Sequence, residues 1–459
     1  MILAQYAISS EPTVGNHEAT YFAPSWQSYR ATLLVVLALT TYLYIPLVSG
    51  GRLLVPSFPT VALIPLLFLT VRRNLSKTDE LFLPKIAFVL ILSIALSPGY
   101  IYVTEKFFSF AQLILALAVT VMTVRLMQQL RREVLERALL VLWCVLVVGS
   151  VLEVAGLIRE ISDAFREWAY GGTFTLYDGD ARDISFVGWV RPKLFATEPS
   201  AVSKMFIVTI NSWLLVKVTG RKAVVVAGAT GFMFLILGSP MFVVSVAITL
   251  SILVWNRRAS IRTRVATVLA ALIVSVLFLV FFGGSALSTV TERLDRIGAT
   301  TSTGQLEHRS ENIRTLIPWI NLVNTWSRWP LFGVGVGGKE VLVEYSPFSD
   351  HSLNTAMGSN AAAQLGNYLG LLGGAWFVWL LLMQASQTGA RRLDLLLVIV
   401  FLFSMLMGGI VTFRYWGHIA LLWGALAVAD TNGNGGANPP RSKGPRGSAI
   451  GVSANWSAH

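Results

Sequence analysis

The chain has 459 residues, 54% of them apolar and 13% charged. With its 38 glycines the apolar share reaches roughly 62%, where soluble domains sit near 45–50%. A soluble fold of this size has too much surface to hide that fraction, and the single Cys144 has no partner in the chain. These figures exclude a soluble cytosolic enzyme, a disordered regulator and a disulfide-stapled secreted domain. The net charge of +12 is explained by where the charges lie, as membrane topology and not as nucleic-acid binding.

About 20 apolar residues are needed to cross a bilayer. Twelve such runs lie between charge clusters: 31–49, 53–71, 86–104, 107–124, 138–158, 201–219, 223–238, 240–256, 265–282, 360–385, 393–412 and 413–429. The predicted fold is an all-α polytopic membrane protein. It comprises an N-terminal segment 1–30, helices 1–5 in 31–158, a loop 159–200, helices 6–9 in 201–282, a second loop 283–359, helices 10–12 in 360–429 and a tail 430–459. That tail is rich in Gly, Asn, Pro and Ser and reads as disordered. The short runs about Gly238-Ser239-Pro240 read as a tight hairpin or one broken segment. Residues 1–29 are polar and contain Glu11, Pro12 and Glu18, so no cleavable signal peptide is expected.

Basic connections stay on the cytoplasmic side. The alternate connections 72–85, 125–137, 217–222, 257–264 and 391–392 hold 17 Lys and Arg, whereas the short connections of the other parity hold Arg52, Lys106 and Arg414. Both termini are therefore expected in the cytoplasm and both long loops outside it. Those loops contain 14 of the 24 acidic residues, and long loops without a fold of their own are usually functional. The first opens on an amphipathic stretch, Arg159 to Trp168, suited to lie along the interface.

Two motifs mislead. Gly333 to Lys339 reads GVGVGGK, but Glu340 stands where a magnesium-holding hydroxyl is needed, and a loop of this kind lacks the flanking strand and helix of a nucleotide site. Asp178-Gly-Asp180 with Asp183 opens like a calcium loop, but the twelfth position is Trp189 where glutamate belongs. No His and Cys pattern supports zinc, and neither metal nor cofactor is expected.

The remaining chemistry gathers at the outer face. Arg191, Lys193 and Glu198 lead into the sixth span, with Lys204 one turn inside it; His308, Arg309 and Arg314 precede Trp329-Pro330-Leu-Phe-Gly333, and His351 and Asn354 follow. Arg414 and His418 stand at the outer end of the last hairpin. Taken singly, each is as well read as a snorkelling cation or a surface histidine. Together they suit a diphosphate, because guanidinium forks bind phosphate oxygens bidentately and can stabilise a leaving anion without metal. His351 suits a base near neutrality, with Glu198 as the competing base.

The segments FATEPSAVS, HRSENIRTLIPWINLVNTWSRWPLFGVG and HSLN, in that order over roughly residues 180–430, resemble the O-antigen ligase and polymerase superfamily of bacterial inner membranes. The glutamate, proline and serine of the first segment are commoner in polymerases of the Wzy type. The resemblance implies a GT-C-type glycosyltransferase of the bacterial inner membrane, using an undecaprenyl diphosphate-linked oligosaccharide without nucleotide sugar or metal. It further implies that Arg191 and either Arg309 or Arg314 hold the diphosphate, Arg314 fitting the usual spacing to Pro330 better, and that His351 is the candidate base. A chain-length regulator and a flippase are the implied partners. Many members carry an arginine after the serine that starts the eighth span; here Ser239-Pro240-Met241 lacks it.

The leading expectation is an exopolysaccharide or O-antigen polymerase. A ligase moving finished glycan to lipid A core or protein keeps the chemistry and changes the acceptor. A non-catalytic transporter or flippase also fits an even number of spans, although no two-fold internal repeat is evident. In that comparison Glu153 and Lys204 read as snorkelling charges near the outer end.

Overall fold

The computed structural model describes residues 26–49, 52–55, 57–172, 176–239, 241–255, 316–348, 360–405 and 407–431. The predicted ninth span (265–282), His308, Arg309, Arg314, His351 and Asn354 lie outside the described residues. What is described is overwhelmingly helical. In chain order it runs α1 (Trp26–Leu43), a hairpin of β1 (Leu47–Ser49) and β2 (Arg52–Val55), α2 (Phe58–Ala62), α3 (Ile64–Val71), α4 (Lys77–Ala95), α5 (Val103–Gln128) and α6 (Arg132–Val154). Then follow α7 (Arg159–Tyr170), α8 (Asp180–Val187), α9 (Pro199–Val216), α10 (Gly220–Leu237) and α11 (Met241–Trp255). After the undescribed stretch come α12 (Ile317–Arg328), α13 (Lys339–Glu344), α14 (Ala361–Gln387), α15 (Leu393–Ser404) and α16 (Phe413–Thr431).

Five helices among the described residues are long and apolar enough to cross a membrane: those ending at Gln128, Val154, Val216, Leu237 and Gln387. α1, α4 and α16 have comparable lengths of 18, 19 and 19 residues but carry more polar side chains; α4 opens on Lys77-Thr78-Asp79-Glu80. Four expectations change. The predicted span 31–49 is helical only to Leu43, with a strand at Leu47–Ser49, and in the predicted span 86–104 helix α4 ends at Ala95 before α5 begins at Val103. The predicted span 53–71 is not one helix, because Pro59 and Pro65 each sit at a helix start and remove backbone donors. Its first residues instead pair antiparallel with the chain before them, Leu53 opposite Val48. The predicted span 393–412 is helical only to Ser404; beyond it Gly409 turns with φ 82°.

Long-range bonds show successive helices alternating in direction. Asp79 at the start of α4 pairs with Arg125 at the end of α5 (2.9 Å), and Gln384 near the end of α14 donates to the same carboxylate. Lys222 at the start of α10 meets Glu136 at the start of α6 (3.1 Å), and Arg392 before α15 meets Asp430 in α16 (2.7 Å). The basic connections that are described therefore meet at one end of the bundle. α7, α8 and the segment after them cap the other.

Apolar burial does not drive helix association in lipid; close packing and hydrogen bonds do. α9 is buried almost all round, as a central helix should be. Its Asn211 donates to Ser245 (3.2 Å) and accepts from Thr249 (2.9 Å), tying it to α11. α16 packs on α5, α9 and α1, with Gly417 against Thr41 of α1 and Gly424 against Met127 of α5, where small residues let the helices approach.

Helix α14 breaks at Gly370 (φ 65°, ψ −166°), and the GVGVGG stretch fills the break. Val334 and Gly335 donate to the carbonyls of Asn367 and Tyr368 (2.9 Å each), while Leu371 and Leu372 donate to those of Pro330 and Leu331 (2.8 and 3.0 Å). Ser93 of α4 donates to the carbonyls of Phe332 and Tyr368, both at 3.0 Å. The glycines that imitate a nucleotide loop are thus a structural plug. Gly333 has φ 62°, and a Cβ there would stand 2.8 Å from the Gly370 nitrogen. Gly333→Ala is expected to cost about 2 kcal/mol or more, read as a lower Tm in detergent. Gly374→Ala, with open space around it, should leave Tm unchanged or higher.

Candidate functional site

The loop end of the bundle is organised around a turn, Lys193 to Thr197, that enters α9. Leu194 and Phe195 both adopt left-handed backbone (φ 43° and 64°), which costs residues with a Cβ on the order of 1–2 kcal/mol each. Side chains from three helices hold the turn in place. Glu153 of α6 accepts from the backbone N–H of Lys193 (3.0 Å) and of Leu194 (2.7 Å). Ser162 of α7 accepts from the N–H of Phe195 (3.0 Å), and Arg166 of α7 donates to the carbonyl of Ala196 (2.9 Å). Tyr42 of α1 donates to the Leu194 carbonyl (2.9 Å). Glu153 is 1% exposed, so it does not snorkel: it is a buried carboxyl group that accepts from two N–H groups of the turn and from the Ser162 hydroxyl.

The amphipathic stretch at 159–168 is the helix α7, and its polar side faces inward. Ser162, Arg166 and Tyr170 are buried, one turn apart, whereas Ile161 and Trp168 are exposed. Tyr170 donates to the carbonyl of Leu43 at the end of α1 (2.6 Å). Burial pushes its phenol up to about 12, against the pull of Arg414 and Arg166, so it remains a donor at neutral pH.

The charges of this loop are largely matched among themselves. Arg191 donates through Nε to Asp183 (2.8 Å) and through its terminal nitrogen to Tyr177 (2.6 Å), whose hydroxyl donates in turn to Asp183 (2.5 Å). Lys193 is buried with Nζ 2.9 Å from Asp180. The Asp178-Gly-Asp180 turn with Asp183 thus serves as counter-charge to these two cations, and among the described residues no group of acidic, His or Cys side chains is arranged to hold a metal.

Past the turn, Glu198 is the extended residue that starts α9, with Pro199 in its first turn. Its carboxylate accepts from the Ser200 hydroxyl and lies 3.3 Å from Lys204 Nζ. α9 packs against α16, which brings Arg414 and His418 to the same end. Arg414 lies over the Tyr44 ring (5.1 Å to the centroid) and donates to the Leu43 carbonyl (3.4 Å), completing a helix C-terminus as a cation should. Burial raises the Tyr44 phenol, with Arg414 and Gln112 acting the other way.

The structure therefore brings Arg191, Lys193, Glu198 and Arg414 to one end of the bundle. It sets Arg191 and Lys193 into ion pairs and leaves Arg414 with no carboxylate partner among the described residues. Sequence reasoning missed Glu153, Tyr42, Ser162 and Arg166 as the residues that shape this end. For Glu153 a signal existed, since an ionisable residue inside an apolar span is a functional candidate by default. No family model matches the chain, and no curated protein matches it significantly.

Glu153→Ala removes the acceptor for two buried N–H groups and is expected to destabilise by about 3 kcal/mol. Limited proteolysis should then cut at 193–197, where the wild type resists. Tyr42→Phe should cost about 1 kcal/mol and leave the turn protected.

Proposed function

We propose that the protein is an integral membrane glycosyltransferase that elongates a polysaccharide, moving a growing undecaprenyl diphosphate-linked glycan onto a lipid-linked repeat unit at the outer face of a bacterial inner membrane. The observation that carries this reading is the clamped turn. It delivers a carboxylate, Glu198, bonded to Ser200 and Lys204, to the loop end of an apolar bundle, where Arg414 also lies, opposite the end where the basic connections meet. Glu198 and Ser200 belong to the FATEPSAVS segment, one of the three through which the chain resembles the O-antigen ligase and polymerase superfamily.

In this reading the acceptor hydroxyl oxygen attacks the anomeric carbon and the bond from that carbon to the diphosphate oxygen breaks. The electron pair leaves with undecaprenyl diphosphate, and the proton passes to Glu198 or His351. Arginines hold the developing charge: Arg414 at this end, with Arg191 and Arg309 or Arg314 as the implied partners. A ligase acting on lipid A core or protein would use the same chemistry with another acceptor.

The transporter reading draws on the break in α14, since transporters carry substrate or ions at interrupted helices. Here the freed carbonyls and amides beside Gly370 are bonded to residues 330–335, which weakens that reading.

The test is purified full-length protein in nanodiscs with undecaprenyl diphosphate-linked repeat units, EDTA present and no nucleotide sugar, read as a gel ladder. Growth by whole repeats supports the polymerase. No ladder with competent substrate, but transfer when lipid A core is added, moves the assignment to the ligase, and neither product overturns transfer altogether. Glu198→Gln should slow elongation about a hundredfold with an unchanged Tm if Glu198 is the base. Arg191→Ala and Arg314→Ala should each weaken donor use, and unchanged elongation in both refutes their diphosphate roles. Should His351 be the base instead, Glu198→Gln will be nearly silent and His351→Ala will lower turnover more than donor affinity.

A further inference from the structure

His418 is 1% exposed, and neither nitrogen of its ring has a hydrogen-bond partner among the described residues. Its ring meets Phe403 edge-on (5.5 Å between centroids). One turn earlier on the same face of α16, Arg414 leaves its Nε buried and unpartnered as well. Across the seam, Lys204 stands five residues into α9 as His418 stands five residues into α16. Both helices run inward from the same end, so both side chains start about 7 Å below the helix heads. Arg414 and Lys204 are each within electrostatic reach of the imidazole.

Beside Lys204, which is paired with Glu198 (3.3 Å), the imidazole of His418 and Nε of Arg414 are buried polar groups without hydrogen-bond partners among the described residues. Burying such groups is unfavourable unless something pairs with them. An imidazole offers at least one N–H in either protonation state, and a guanidinium offers several, all suited to phosphate oxygen.

We propose that Arg414, His418 and Lys204 form a buried phosphate subsite at the head of the α9–α16 seam, and that its occupant is the diphosphate of the polyprenyl-linked substrate. The assignment of that occupant rests on the transferase reading above. A phospholipid headgroup offers the same phosphate chemistry, and the two sources are separable.

The experiment is equilibrium binding of undecaprenyl diphosphate to the full-length protein in phosphatidylcholine nanodiscs, with Tm measured alongside. His418→Leu should weaken binding about tenfold or more while Tm holds or rises, because an unpaired polar group is replaced by an apolar one of similar size. His418→Gln, which keeps a donor, should bind within about threefold of wild type, and Lys204→Met should lose affinity as His418→Leu does. A loss of Tm in His418→Leu with unchanged affinity marks a packing residue and overturns the subsite, as does unchanged affinity alone. If phosphatidylglycerol in the nanodisc abolishes the effect of His418→Leu by competing for the site, the bulk lipid is the occupant and the diphosphate assignment falls. Because binding is read apart from elongation, absence of a ladder with His418-dependent binding intact refutes the polymerase and leaves the subsite standing.

Discussion

Backbone polar groups that leave helical geometry inside an apolar bundle have no water to turn to, and each one left unpaired costs several kcal/mol. Two irregular stretches meet that constraint in different ways. At Gly370 the broken helix is completed by main chain, residues 330–335 supplying both donors and acceptors. At 193–197 the turn is completed by side chains, Glu153, Ser162, Arg166 and Tyr42 each taking a named backbone group. The first solution demands glycine, because backbone must touch backbone. The second demands polar side chains at fixed heights on three helices, and it tolerates leucine and phenylalanine in left-handed geometry because the surroundings over-determine them.

The same scarcity of water governs the charges. Arg166, Arg191 and Lys193 are all buried or nearly so, and each has an aspartate: Asp163, Asp183 and Asp180. These three cations of the loop are thus each matched by an aspartate of the same loop. Arg414, further in, has no carboxylate partner among the described residues, and Lys204 is paired with Glu198. Arg191 already gives Nε to Asp183 and one terminal nitrogen to Tyr177, its other terminal nitrogen having no hydrogen-bond partner among the described residues, whereas in Arg414 it is Nε that is buried without one.

Part of the architecture was legible because charge clusters punctuate apolar runs, and the helices ending at Gln128, Val154, Val216 and Gln387 overlap predicted spans with limits shifted by one to seven residues. The second predicted span misled because hydropathy ignores proline: Leu53 to Val71 is apolar enough, but Pro59 and Pro65 each restart the helix. The site was legible in part. The residues 191–204 stood out by type, yet nothing local discloses that Asp183 belongs to Arg191 or that Glu153, forty residues earlier than Lys193, caps its N–H. Those pairings are tertiary. Nor does periodicity foretell that α7 turns Ser162, Arg166 and Tyr170 inward, since an interfacial helix on a soluble template would bury Ile161 and Trp168 instead.

The rigidity of the 193–197 turn also bears on the choice between moving a substrate and reacting with it. A carrier that alternates access needs the walls of its site to shift, and the hydrogen bonds that hold this turn, worth about 1 kcal/mol each, resist any shift that separates α6 or α7 from α9. Group transfer has the opposite requirement, since reacting atoms must be held close to attack geometry and small displacements cost rate steeply. A carboxylate fixed at the start of α9 by a proline and an over-determined turn answers that second requirement. Its neighbours Ser200 and Lys204 both bond the same oxygen of Glu198, which fixes the plane of the carboxylate.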